Sequence, residues 1–354
     1  MAADAFELYQ RIRDLPITEA VKKYFAAWRR MHYKEHLITP EMQAMSKKYP
    51  IVAVTGASGS GTTVVEKAFR EIFFRQGVKA AFVHGTAFQK YTQDDQIRHI
   101  TQAEAAGRCL SCYGPDLNDF ARLEGLFREY SATGKGACRQ YISAENAEAM
   151  QLPVGSFSSW QPLPSNTDVL FYEGLHGGVV AETWTRRKVT DESIQRGEYD
   201  RRRARVNKGV NVAQYVDLLI AIAPAINLEW IQKIHNEHQL RKQPHEVVVK
   251  TILDRLRDYI HFIVPQFSIS DIIFQRMPIV DTSDPFIARD VPTESESVIV
   301  VSFREPKKYN FPFLLKRIHG AYMSRPNIMV IPGGEMRHAL DVICAPMIEA
   351  CCGR

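Results

Sequence analysis

A glycine-rich stretch near residue 60 carries the clearest chemistry in the sequence. It follows the apolar run Ile51–Val54 and leads into Val64–Arg75, which has helical periodicity. Its residues are Gly56, Ala57, Ser58, Gly59, Ser60, Gly61, Thr62 and Thr63. This is the spacing of a P-loop, in which backbone N–H groups and a helix N-terminus surround phosphate oxygens. We therefore predict that the stretch binds the phosphates of a nucleoside triphosphate.

The last two residues of this loop determine which cations the predicted site needs. Thr63 is placed to put its hydroxyl on Mg²⁺. Thr62 occupies the position where the motif has a lysine. The predicted site therefore needs a positive charge from another part of the chain.

A carboxylate at the end of a predicted strand is the second chemical feature. Glu173 follows the apolar run Asp168–Tyr172 and precedes the loop Gly174–Gly178. Ligands of open α/β sheets bind at the carboxyl ends of strands, where an acid can hold Mg²⁺ directly or through water. We expect Glu173 to be this magnesium ligand. The alternative is a surface glutamate at the start of a loop.

Alternating strands and helices must position these groups. This order predicts an α/β fold around the P-loop, with a mostly parallel sheet flanked by helices and a mixed C-terminal edge. The predicted strands are Ile51–Val54, Ala80–His84, Asp168–Tyr172, Asp217–Ala223, Val298–Phe303 and Ile328–Ile331. The predicted helices are Val64–Arg75, Leu117–Tyr130, one starting over Leu228–His238, Glu246–Ile263 ending near Pro265, and one around Leu314–Tyr322.

The bulk properties exclude several classes of protein. The chain has 354 residues and a formal net charge of +5, without the concentrated basic footprint of a nucleic-acid binder. No apolar run approaches the roughly 18–20 residues that span a bilayer, and the N-terminus lacks a secretory signal. We expect a cytoplasmic protein that binds neither nucleic acid nor membrane. A lone Cys109-x-x-Cys112 without a second ligand pair predicts free thiols.

Two segments stand apart from the predicted core. Residues 1–44 form an N-terminal extension, in which Thr18–His32 has the spacing of an amphipathic helix. The remainder, 45–354, is predicted to be one domain that contains the basic insertion 181–209. That insertion has arginines at 201, 202, 203 and 205, which indicates a solvated loop or a lid, or a cluster that holds phosphate.

Five stretches together resemble the bacterial, non-plant phosphoribulokinases. They are SKKYPIVAVTGASGSGTT, LFYEGLHGGVV, VNVAQYVDLLIAIAPAINLEWIQKIH, DYIHFIVPQFSISDIIFQRMPIVDTSDPFIAR and IHGAYMSRPN. The resemblance implies a P-loop kinase fold, with residues 45–354 as one phosphoribulokinase-like kinase domain. It also implies transfer of the ATP γ-phosphoryl group to the 1-hydroxyl of ribulose 5-phosphate, a step of carbon fixation in the Calvin cycle. It also accounts for Thr62, because this family has a threonine at that position.

The resemblance assigns roles to further residues. Lys233 and Arg241 match basic residues near the phosphates, and Lys233 is the natural replacement for the missing lysine of the loop. Tyr141 and Arg139 are placed at the sugar-phosphate site. Family members are oligomers, so a homo-oligomer is expected. The resemblance also implies NADH and AMP as effectors at arginine-lined sites, to which Arg325 is matched.

Departures from the family cluster on the acceptor side. Where the family has Glu-Gly-Asp, with the aspartate as general base, this chain has His84-Gly85-Thr86. Further family residues are replaced by Gln89, Gln93, Ile97, Ser143, Asn236, Glu237 and Asp254. Asp94 and Asp95 are substitute bases only if the loop shifts. Three hypotheses follow, namely an active phosphoribulokinase, a related kinase with another acceptor, and a non-catalytic regulator that binds nucleotide.

Overall fold

The computed structural model describes residues 48–56, 62–181, 209–288 and 290–352. The N-terminal extension, residues 57–61 of the phosphate loop and almost all of the basic insertion lie outside these ranges. None of the helices within the described ranges is both long enough and apolar enough to cross a bilayer.

An eight-stranded sheet forms the centre of the described structure. The described strands are β1 Ile51–Gly56, β2 Ala80–His84, β3 Ala137–Cys138, β4 Gln161–Pro162, β5 Val169–Gly174, β6 Val180–Ala181, β7 Val210–Asn211, β8 Leu218–Pro224, β9 Ile272–Pro278, β10 Ser297–Phe303, β11 Tyr322–Arg325 and β12 Ile328–Pro332. The order in the sheet is β11-β12-β10-β9-β8-β1-β5-β2. Two short two-stranded sheets pair β3 with β4 and β6 with β7.

The large sheet is parallel on one side and antiparallel on the other. From β2 through β5, β1 and β8 to β9, every neighbouring pair is parallel. From β9 through β10 and β12 to β11, every pair is antiparallel. The predicted fold class is therefore confirmed, including the mixed C-terminal edge. All residues of β1 and β8 are buried, as expected for central strands covered on both faces.

Helices cover both faces of the sheet. They are α1 Thr62–Arg75, α2 Gln93–Ala105, α3 Phe120–Thr133, α4 Ala147–Met150, α5 Ile226–Arg241, α6 His245–Asp258, α7 Val264–Ile269, α8 Phe311–Arg317 and α9 Met336–Cys351. Alternate residues of β1 point to opposite faces. Val52 belongs to one core cluster, with Phe69 of α1 and Leu340 of α9, whereas Ala53 belongs to a second, with Phe127 of α3.

Two predicted helix ends were wrong. The helix predicted to end near Pro265 instead passes through a π-helical turn, Tyr259–Ile263, into α7. Pro265, in the first turn of α7, directly follows this π-helical turn and has no N–H to donate back into it. The helix predicted around Leu314–Tyr322 ends at Arg317. Gly320 then adopts a left-handed φ of 71°, which turns the chain into the edge strand β11.

Candidate active site

The carboxyl ends of the parallel strands meet at one edge of the sheet. Glu173 of β5 is in register with Val54 of β1 on one side and with His84 of β2 on the other. Helix α1 begins at Thr62, a few residues after β1 ends at Gly56. Ligands of such sheets bind at this edge. The strand order therefore places Glu173 beside the end of β1, after which the predicted phosphate loop follows in the sequence.

The strand–loop–helix context of the phosphate loop is confirmed by β1 and α1. Gly56 is the last residue of β1, and Thr62 and Thr63 open α1. Residues 57–61, which include Ala57, Ser58, Gly59, Ser60 and Gly61, lie outside the described residues, as do the side chains at 62 and 63. Binding of phosphate by this loop and of Mg²⁺ by Thr63 therefore stays a prediction.

Three side chains converge between the first turns of α1 and the ends of β2 and β5. His84 Nδ1 lies 3.3 Å from Glu173 Oε2, and His84 Nε2 lies 3.9 Å from Glu66 Oε2 of α1. The carboxylate of Glu173 raises the pKa of His84 through this hydrogen bond, against the opposing effect of burial, and Glu66 adds a further attraction. The sequence pointed to Glu173 alone. His84 carried a signal, since it ends a predicted strand, but Glu66 became visible only with the packing of α1.

A buried amide from a distant helix holds the loop that follows Glu173. Gln266 Oε1 accepts hydrogen bonds from Thr55 Oγ1, at 2.8 Å, and from the Gly178 N–H, at 2.9 Å. Gln266 Nε2 donates to the carbonyls of Leu175 and Phe262, at 2.8 and 2.7 Å. The side chain thus joins the end of β1, the 174–178 loop and the π-helical turn.

The residues of the predicted acceptor site come from two stretches of the chain, one around Thr86 and one around Arg139 and Tyr141. Thr86 is exposed on a 3₁₀ turn, Gly85–Phe88, that directly follows β2. Arg139 supports this turn, since Nε donates to the Ala87 carbonyl at 2.9 Å and a terminal nitrogen donates to the Gln89 carbonyl at 2.5 Å. The guanidinium of Arg139 also lies 3.6 Å from the centroid of the Phe157 ring. These contacts make Arg139 a support of the turn that carries Thr86, and its predicted contact with substrate stays a prediction.

Tyr141 and the two substitute bases lie near the start of α2. The Tyr141 hydroxyl donates to Gln93 Oε1 at 3.4 Å. Asp95 accepts a 2.7 Å hydrogen bond from Thr92 Oγ1 and pairs with Arg98, contacts that lower its pKa. Asp94 is exposed. Asp95 is thus part of the helix cap, while Asp94 remains free to face solvent.

Lys233 of α5 lies in a different cluster from Glu173. Its ammonium lies 5.9 Å from the centroid of the Tyr113 ring, and burial lowers its pKa. Burial raises the pKa of Glu229, one turn earlier, to about 7, although the Tyr259 hydroxyl donates a 2.7 Å hydrogen bond to it. The backbone of α5 ends at Arg241, whose side chain lies outside the described residues. The predicted roles of Lys233 and Arg241 at the phosphates remain predictions.

The CxxC pair lies in the segment between α2 and α3. Cys109 and Cys112 are free, and Cys109 is exposed.

Within the described residues, the cluster whose geometry suits a metal ion is Glu66, His84 and Glu173, with one ligand atom from each side chain lying within 4.8 Å of the others. Carboxylate oxygens suit Mg²⁺, so Glu173 fits the predicted magnesium ligand.

Comparison with known proteins gives the same picture over most of the chain. A model of the family described as "Phosphoribulokinase / Uridine kinase family" matches residues 51–195 and 196–283. The plasmid phosphoribulokinase of Cupriavidus necator is 44% identical over 306 residues, which cover 86% of this chain and 96% of that protein. Phosphoribulokinase 1 of Cereibacter sphaeroides is 43% identical over 308 residues, covering 86% and 97%.

A solved structure agrees with these similarities. The phosphoribulokinase from Rhodobacter spheroides superposes with a TM-score of 0.72 at 40% sequence identity. The match covers 87% of this chain and 98% of that one. Both the sheet and the helices around the candidate site therefore have counterparts in a protein of known structure.

Proposed function

The chain belongs to the phosphoribulokinase and uridine kinase family, and from this premise we propose that it is an ATP-dependent phosphoribulokinase. The reaction would convert ATP and D-ribulose 5-phosphate to ADP and D-ribulose 1,5-bisphosphate, the Calvin-cycle step. The observation that carries the proposal is the similarity to phosphoribulokinases over 86% of this chain and 96% of the relative. Because so little of the relative is left unmatched, the proposal applies to the whole enzyme.

The geometry supports separate roles for the residues along the edge of the sheet. The loop between β1 and α1 would hold the β- and γ-phosphates of ATP, while Glu173 and Thr63 would hold Mg²⁺. When bound, the cation neutralises charge that develops on the transferred group. Lys233 and Arg241 would supply the positive charge that Thr62 lacks. Gln266 fixes the loop after Glu173, so that the carboxylate keeps its position when the nucleotide enters.

The acceptor would enter from the side of the 3₁₀ turn. Thr86, Tyr141 and Arg139 line or support that side. Threonine does not take up a proton at neutral pH, and a positioned general base contributes about 10²–10⁴-fold to rate. Phosphoryl transfer depends mainly on positioning and electrostatics. We therefore infer an enzyme that turns over more slowly than a kinase with an acid at position 86.

Thr86 also favours a second candidate function. A divergent member of the family, either a kinase with another acceptor or a nucleotide-binding regulator without activity, would tolerate the loss of the base. Gln89 and Gln93 on the same segment point in the same direction, because they replace charged residues of the family. The first candidate is preferred, because the identity of 44% to a phosphoribulokinase extends over 86% of this chain, whereas the departures are confined to a few acceptor-side positions.

A coupled assay of ADP release with ribulose 5-phosphate tests the proposal. Wild-type protein is expected to release ADP only when both ATP and ribulose 5-phosphate are present, and the product is identified as the bisphosphate by mass spectrometry. Calorimetric binding of ATP without any turnover would overturn the first candidate and leave the regulator. Turnover with a different sugar phosphate alone would instead identify a kinase of another acceptor.

Assembly and regulation extend the proposal. The resemblance supports a cytoplasmic homo-oligomer that responds to NADH and AMP. Arg325, matched to an effector-site arginine, is exposed on the edge strand β11. Sedimentation of the purified chain, and ADP release with and without NADH, test these two points. A monomer that is indifferent to NADH would contradict them.

A further inference from the structure

A nitrogen and two carboxylates converge from three separate elements at the catalytic edge. Glu66 belongs to α1, His84 ends β2 and Glu173 lies in β5. The imidazole lies between the two acids, 3.3 Å from Glu173 Oε2 and 3.9 Å from Glu66 Oε2. Residues far apart in sequence are thus held together by the strand order and by the packing of α1.

The separations suit the ligands of a single ion. Nitrogen and oxygen ligands lie about 2.0–2.2 Å from a divalent metal such as Zn²⁺. Neighbouring ligands are then about 3 Å apart at right angles and about 4 Å apart when nearly opposite. One ligand atom from each of the three residues lies within 4.8 Å of the other two. Small rotations of the side chains would bring all three onto one ion.

The donor set selects the kind of metal. Magnesium keeps an octahedral shell of oxygens, whereas imidazole is a good ligand for transition metals such as Zn²⁺, Fe²⁺ and Ni²⁺. We propose that Glu66, His84 and Glu173 form a binding site for a divalent transition metal, with one imidazole and two carboxylate ligands and the remaining positions open. This inference rests on the proposed function in one respect. The proposed metal site lies at the same edge of the sheet where the kinase reaction requires Mg²⁺.

The surroundings leave the ligand atoms accessible. Arg70 donates to Glu66 Oε1 at 2.6 Å and leaves Oε2 directed toward His84. The side chain of Glu173 is 15% exposed and that of His84 is 44% exposed. The site is thus shielded on the side of the sheet and open toward solvent, as an ion that also meets a nucleotide phosphate requires.

Manganese binding to the full chain without nucleotide tests the site. The free Mn²⁺ signal in electron paramagnetic resonance gives the affinity, and spin-echo modulation detects ¹⁴N of a bound imidazole. Wild type is expected to bind one Mn²⁺ with nitrogen modulation. His84→Glu makes the set all-oxygen and should abolish the modulation. Glu66→Gln should weaken Mn²⁺ binding by about 10–100-fold, a loss that even outer-shell partners produce.

Matched variants separate the site from general surface binding. Glu71 lies on the same helix but pairs with Arg337, and His319 is exposed after α8. Glu71→Gln and His319→Gln should leave both affinity and modulation unchanged. The inference is overturned if wild-type Mn²⁺ shows no nitrogen modulation, or if the modulation survives in His84→Glu. It stands if the modulation is present in a protein that shows no phosphoryl transfer, so the two proposals fail separately.

Discussion

Gly85 and Gly174 face each other so closely that a β-carbon built on Gly174 would lie 2.8 Å from the Cα of Gly85. A β-carbon on Gly85 would in turn lie 2.5 Å from the hydroxyl oxygen of Tyr172. These contacts bring the end of β2 against the end of β5. The approach explains how His84 and Glu173, the residues immediately before the two glycines, come to share a hydrogen bond.

The first prediction concerns this close approach. Gly85→Ala should destabilise the protein by about 1–3 kcal/mol, because overpacking forces neighbours to move. The double variant Gly85→Ala with Tyr172→Phe should recover part of that loss, since the second substitution removes the hydroxyl oxygen that lies nearest to the new β-carbon. Unfolding in urea, followed by circular dichroism, measures both effects.

Gly125 provides the control for that experiment. It lies in α3, and a β-carbon there would meet nothing within 4 Å. Gly125→Ala should therefore leave the stability equal or raise it by about 0.5–1 kcal/mol, as alanine does in a helix. If Gly85→Ala behaves like Gly125→Ala, the close packing of the two strand ends is not a constraint.

The local parts of the site were predictable from the sequence. The run Ile51–Val54, the glycine-rich loop and the helical periodicity after it lie within one short stretch, so pattern alone gave β1 and α1. Glu173 was found in the same way, because it directly follows an apolar run. Exact helix ends were less predictable, as the π-helical turn before Pro265 shows. Such helix ends depend on tertiary packing, which the local sequence does not specify.

The contacts between distant residues were not predictable. His84 pairs with Glu173 only because β2 lies next to β5, and no local pattern specifies that order. Gln266 is 211 residues from Thr55 in the sequence, yet its side-chain oxygen accepts a hydrogen bond from the threonine hydroxyl. A glutamine within an apolar stretch of sequence gives no sign of whether its side chain is buried and positions a loop or lies on the surface.

Gln266 gives the second prediction. Gln266→Leu leaves the Gly178 N–H and the Phe262 carbonyl without this buried partner, and each such group costs about 1–3 kcal/mol. The Leu175 carbonyl keeps the hydrogen bond from Thr55 Oγ1 at 3.1 Å. We expect a loss of about 3 kcal/mol in the free energy of unfolding. The exposed Gln102 of α2 offers a matched control, and Gln102→Leu should change stability by less than about 0.5 kcal/mol. Equal effects of the two substitutions would refute the positioning role.

The third prediction concerns acid stability and His176. Burial lowers the pKa of this histidine to about 4, while its Nε2–H donates to the Tyr113 carbonyl at 3.0 Å. A folded-state pKa below the unfolded value means that stability is complete above about pH 6.5 and is lost as the pH falls toward 4. At pH 4.5 this loss should reach about 2–3 kcal/mol.

A glutamine at position 176 checks this assignment. His176→Gln keeps a donor for the Tyr113 carbonyl but does not titrate. The difference in unfolding free energy between pH 7 and pH 4.5 should therefore shrink by about 2–3 kcal/mol in this variant. His319→Gln, at an exposed position, should leave the difference as in wild type. A His176→Gln curve parallel to wild type would exclude His176 as the source of acid sensitivity.

The last prediction concerns the missing base. Thr86 is exposed at the start of the acceptor side, two residues after His84. Thr86→Asp places a carboxylate where the family has its general base, so kcat for ribulose 5-phosphate should rise by about 10²–10⁴-fold. The ADP-release assay measures this rise, and KM for ATP should change little because the phosphate loop is untouched. Thr86→Asn has nearly the same shape as the aspartate but cannot take up a proton, so its kcat should stay at the wild-type value. An equal gain in both variants, or none in Thr86→Asp, would mean that position 86 does not limit the reaction and that another group already accepts the proton.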